Sequence, residues 1–175
     1  TLAEYEAIIK DLNFTFNQCA PINELNNKDE VVIKAVDSGT IWIILTVAAV
    51  AVPLIGNLCK IALGCRKELI AQDMLKQKLR VYTKGADMIE LIEKENQEMI
   101  KAMYQKEATR FAQENDLAYD NESINSLAMG IERLTGLINK GVEIYAPLTE
   151  SKEQNDFFPT DKEYAKVLEE ARQIL

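Results

Sequence analysis

Histidine is absent from all 175 residues. That excludes His-based catalytic triads, His-ligated metals and paired Arg/His ribonuclease chemistry. Cysteine is scarce. Cys19, Cys59 and Cys65 are too few and too scattered for a disulfide framework, so a reduced, intracellular chain is expected. Cys59 and Cys65 lie six apart, which is neither a zinc-knuckle nor a redox spacing, and buried small hydrophobes are expected there rather than nucleophiles. The glycines never line up as a Walker A loop or a Gly-x-Gly-x-x-Gly turn. No basic cluster exceeds Arg66-Lys67 and the net charge is −8, so nucleic acid is not an expected partner. The opening residues show no basic region followed by an apolar one, so no signal peptide is expected. Two Asn-x-Ser/Thr triplets, at Asn13 and Asn121, are then incidental. No internal repeat or low-complexity segment appears. Carboxylates are plentiful, but Glu-rich helical faces are usually solvated, and choosing two as an acid and a base is arbitrary. A protein that is not an enzyme, with no cofactor and no metal, is expected.

What the chain does have is one long uncharged run. No charge falls between Asp37 and Lys60, which leaves 22 residues, about 33 Å if helical. One reading makes this a single membrane-inserting helix, with Trp42 at one interface and Lys60, Arg66 and Lys67 at the other. The other divides it. Residues 31–36 and 40–45 are β-branched runs of strand length around Asp37-Ser38-Gly39, a hairpin loop with glycine where a left-handed residue is wanted. An apolar helix then starts near Thr46. The two are partly compatible, because that helix can still insert. Residues 1–37 carry seven acids and three lysines, so a spanning run would place the C-terminal region in the cytoplasm.

Three regions follow: an N-terminal amphipathic helix and turn over 1–30, the hairpin and apolar helix over 31–65, and a charged helical region over 66–175. In the first, Tyr5, Ile8, Ile9 and Leu12 recur at helical spacing. In the second, Ala48, Val52, Gly56, Lys60 and Gly64 form a four-residue row that suits close helix packing. Pro53 is expected to kink this helix. Asn57 needs a partner if buried, or lies on a wet face. In the third, Leu69, Ile70, Met74, Leu75, Leu79 and Tyr82 are expected to face inward, as are Met88, Ile89, Ile92, Met99, Ile100, Met103, Tyr104 and Phe111 on the next helix. Residues 93–98 contain no apolar side chain and predict a solvated stretch with local ion pairs. Residues 120–123 offer an N-cap, Ile124 to Ile138 a clean stripe, and Gly141 a C-cap. Residues 142–147 read as extended and suit a strand added to the hairpin. Thr160 with Glu163 is a capping box opening a last helix. The expected fold is mainly α, a bundle of long helices with one small β-hairpin and an apolar helix that inserts in a membrane or fills the core.

Several short stretches together resemble a loose group of small bacterial defence-associated proteins. They are Val36-Asp37-Ser38-Gly39-Thr40-Ile41-Trp42-Ile43, Gly141-Val142-Glu143-Ile144-Tyr145-Ala146-Pro147 and Asp156-Phe157-Phe158-Pro159, with long charged helices between. Within that group the chain resembles the small accessory membrane proteins of type VI-B CRISPR systems. The resemblance implies a homo-oligomeric pore in the bacterial inner membrane, acting in antiviral defence beside an RNA-guided nuclease. An Arg/His nuclease motif has been associated with that family, and the missing histidine removes it here.

The expected function is therefore a homo-oligomeric, membrane-associated pore that permeabilises or depolarises. Trp42, Ile43, Ile44, Leu45, Val47, Val50, Leu54 and Ile55 would contact lipid. Ala48, Val52, Gly56, Asn57, Lys60 and Gly64 would line the pore or the subunit interface, since polar groups in an apolar helix face a cavity or a bundle interior. The partners are the chain itself, lipid and a nuclease system. The rival is a soluble, cytoplasmic α+β protein-interaction module with the apolar run as buried core. Catalysis by carboxylates alone is a third option.

Overall fold

The computed structural model describes residues 2–18, 32–35, 41–46, 51–83, 85–117, 120–146 and 156–173. These residues are mainly helical. Helix α1 (Leu2–Asn13) widens into a π-helical turn, Phe14–Gln18. Strands β1 (Val32–Ala35) and β2 (Ile41–Thr46) follow, then α2 (Val52–Tyr82), α3 (Ala86–Glu114), α4 (Asn121–Asn139), β3 (Val142–Tyr145) and α5 (Asp161–Arg172).

The long uncharged run is divided. Its first part is strand β2, antiparallel to β1 with Ile33 opposite Leu45 and a register shift between Ile33 and Ala35. Its last part opens α2. A single helix over the whole run is thereby ruled out, because residues 41–46 pair as a strand. The hairpin loop, residues 37–39, lies outside the described residues. Strand β3 adds beside β2 in parallel, Ile41 opposite Val142, giving the order β1-β2-β3. Parallel neighbours need a long crossover, and α2, α3 and α4 supply it.

Pro53 does not kink α2. The helix starts at Val52, so proline falls in the first turn, where its missing N–H has no helical partner to lose. The four-residue row also changes character. Val52 and Gly56 are buried while Lys60 and Gly64 are exposed. Each four-residue step advances about 40° around an α-helix, so three steps carry a row from core to surface.

The core is assembled around α4. Its Leu127, Ile131, Leu134 and Leu137 are sealed, packed with Ile55, Leu58, Cys59 and Ala62 of α2 and Phe111 of α3. Asp120 caps α4, its carboxylate accepting from the N–H groups of Glu122 and Ser123. Gly141, at φ +85°, ends it in the left-handed region that glycine enters without a Cβ penalty. Helix α1 buries Ile8 and Leu12 but leaves Ile9 exposed. Arg133 ties α1 and the π-turn to α4, pairing with Asp11 at 3.2 Å and lying 3.9 Å over the Phe14 ring. At the other end, α5 is opened by the Thr160–Glu163 capping box. Its Tyr164 reaches edge strand β3. The Ile144 N–H donates to the Tyr164 hydroxyl at 3.1 Å, and that hydroxyl donates to the Ile144 carbonyl at 3.1 Å.

Candidate functional site

Helix α2 has 31 residues and α3 has 29, each more than 40 Å long by the α-helical rise of about 1.5 Å per residue. The core uses only part of each. The last buried residue of α2 is Ile70 and the first of α3 is Tyr104. Between them no described residue is fully buried, and the helical hairpin runs past the core, with Ile100 and Met103 near its base still packed against it. Sequence periodicity assigns Met74, Leu75, Leu79, Tyr82, Met88 and Met99 to inward faces, and here it is corrected. All six are exposed, Tyr82 at 85% and Leu75 at 57%. Periodicity defines a stripe but not what covers it, and none of the described helices covers these six.

The hairpin's two arms carry opposite charge. Residues 71–84 hold four basic side chains against one acid, and residues 86–99 hold five acids against one lysine. Glu93 joins the arms. It pairs with Lys76 at 3.6 Å and with the Arg80 guanidinium. The expectation of purely local pairs in 93–98 is thus corrected, since Glu93 is bound across the hairpin rather than along its helix. Both pairs are partly exposed, so each is worth about 0–1 kcal/mol. Ile89 and Ile92 are half-buried, and Ile100 packs partly against the core.

At the hairpin's base a cleft of about 640 Å³ opens between α2 and α3. Small residues make it: Gly64 has nothing within 4 Å of where a Cβ would sit, and Ala102 stands across from it. Cys65 and Met99 supply apolar lining, and Lys60, Glu68, Lys106 and Arg110 surround them. The side-chain amide oxygen of Gln72 is buried here with no hydrogen-bond partner among the described residues. Burial, with Glu107 nearby, pushes the Cys65 thiol up to about 12. Burial also raises the thiol of Cys59. Neither is a thiolate at neutral pH, so neither is set up as a nucleophile. A second cleft of about 580 Å³ lies between α3 and α4, where Gln105 donates to Asn125 at 2.7 Å.

The described residues among those expected at a membrane or pore fall in different parts of the fold. Trp42, Ile43, Ile44 and Leu45 are in β2. Ala48, Val47 and Val50 lie outside the described residues. Val52 and Ile55 are fully buried within the chain's own core, and Leu54 packs partly against it. Gly56 is occupied by Phe157, whose backbone would lie 2.8 Å from an added Cβ. Asn57 is half-buried. Lys60 donates to the Asp156 carbonyl at 2.5 Å, and among the described residues of this group only Lys60 and Gly64 reach the cleft. Among the described residues no helix is long and apolar enough to cross a membrane, and no three metal-ligating side chains come together.

The hairpin surface was legible in one signal, the opposite charge of two adjacent helical segments. Comparison with known proteins returns no matching family model, curated protein or solved structure.

Proposed function

We propose that this chain is a non-catalytic protein-interaction module, with the end of its apolar run as core and the projecting α2–α3 hairpin as its binding surface. One observation carries the reading. Of ten exposed large apolar side chains among the described residues, eight lie between Met74 and Met99. Clustered apolar exposure of this kind marks a surface that another molecule covers. Meanwhile Val52, Ile55, Leu58, Cys59 and Ala62 are nearly inaccessible.

Photo-cross-linking tests it in living cells. A benzoylphenylalanine is placed at Leu75 or Met88, and as control at exposed Lys166 of α5. Discrete protein adducts from the two hairpin positions, and none from the control, are expected. No adduct from either hairpin position would sink the reading. Lipid adducts together with dye leakage from bacterial-lipid vesicles would select instead the oligomeric pore implied by the CRISPR-accessory resemblance.

A further inference from the structure

Resting on the hairpin as binding surface, we propose that the hairpin's partner is a second copy of this chain, two hairpins closing into a four-helix bundle in which the basic arm of each faces the acidic arm of the other. Charge selects the partner. A surface of one sign, such as an anionic membrane or a polyanion, attracts one arm and repels the other. A second copy offers both signs in the same arrangement. A two-fold axis along the bundle sets each α2 antiparallel to the partner's α3 and leaves like-charged arms diagonal.

The outward stripes have the period that such a bundle needs. On α2, Ala71, Met74, Lys78 and Val81 alternate steps of three and four, with Leu75 and Tyr82 beside them. On α3, Met88, Leu91 and Glu95 do the same, followed by Met99 and Ala102. Each apolar stripe is interrupted near its middle by one charge, Lys78 on the basic arm and Glu95 on the acidic arm. Neither belongs to any ion pair among the described residues. A lone charge in an apolar seam costs stability by itself, but an opposed pair fixes register and partner. The sign of each interruption matches what the other arm requires. Toward the body, Gly64 and Ala102 keep the groove shallow in side-chain atoms, so a helix can approach closely.

Light scattering on the purified full chain, with K78E and E95K variants, tests the pairing. The wild type should have twice the 19.8 kDa chain mass. Each variant alone sets like charges together at two symmetric positions, so its dimer dissociation constant should rise about tenfold or more. An equimolar mixture should recover dimers within a few-fold of wild type, because K78E then meets E95K and the second contact is native. Circular dichroism melts identify a variant that fails to fold, and the other variant with the wild-type mass still decides. A monomeric wild type overturns the self-pairing, while hairpin cross-links to a different protein would leave the interaction-module reading standing. A larger closed ring, or loss of dimer without rescue on mixing, overturns the two-fold geometry.

Discussion

Replacing Gly56 by alanine should destabilise the fold even though alanine is the better helix former. Gly56 is buried in α2, and the Phe157 carbonyl carbon, oxygen and Cβ each lie 2.8 Å from where the new methyl carbon would sit. Two of those atoms are backbone, so relief requires the 156–160 segment to move, and that segment carries the capping box and α5. Overpacking of this kind costs about 1–3 kcal/mol. The helix-propensity gain over glycine returns about 1 kcal/mol. The net is a loss of up to about 2 kcal/mol, and for a chain of this size about 2–4 °C of Tm follows per kcal/mol. Gly64→Ala is the internal control. It sits in the same helix with open space around it, so it keeps the propensity gain without the clash and should melt higher than wild type. Calorimetric melts of the two variants then isolate the steric part as their difference. A Gly56→Ala protein that melts at or above Gly64→Ala would refute the packing of Phe157 on α2.

Four further outcomes are expected. Tyr164→Phe orphans the N–H of Ile144 on edge strand β3 and should cost about 1–3 kcal/mol in urea unfolding, with no change in helical ellipticity. Leu58→Ala empties a site that is 1% exposed and should cost about 2–5 kcal/mol, as measured by chemical denaturation. In a Cys19→Ser background, burial should keep Cys59 and Cys65 unreactive to a thiol reagent at pH 8 until denaturant is added, and fast native labelling would contradict their placement. Hydrogen bonds from Ser123 to Asp120 and from Thr160 to Glu163 hold both carboxyls below their ordinary values of 3.8 and 4.5. Depressed folded pKa values stabilise above the ordinary range and lose that contribution as pH falls through the folded values. Tm should therefore drop on acidification below about pH 4.5, and less steeply in an Asp120→Asn, Glu163→Gln variant.

Much of the fold was legible because several signals agreed locally. Residues 124–138 have a one-sided apolar stripe, an aspartate N-cap before it and a glycine after it, and they form α4 at the centre of the core. Thr160 with Glu163 announced α5 in the same way. Pro53 was ambiguous for a definite reason. Proline is tolerated in the first turn and disruptive later, so its meaning depended on where the helix begins, and residues 47–50 are apolar enough to continue either element. The direction of β3 was not legible at all. Residues 142–145 are a strand by composition, but their parallel pairing with β2 follows from the path of three intervening helices, which no local pattern encodes.

The candidate surface shows the limit of hydrophobic periodicity more sharply. Leu75, Leu79 and Tyr82 have the spacing of a buried face, and Leu127, Ile131 and Leu134 have the same spacing with the opposite fate. Period states that a stripe needs a cover, and only the length of the neighbouring elements states whether the chain supplies one. Here α4 has 19 residues and α2 has 31, so the shorter helix cannot cover the longer one to its end. The uncovered length is where the charges separate by sign between α2 and α3. A solvated face needs no such separation, because mixed charges dissolve it equally well. Segregated signs on two adjacent antiparallel helices instead join the arms through Glu93 and leave Lys78 and Glu95 exposed in the middle of apolar stripes.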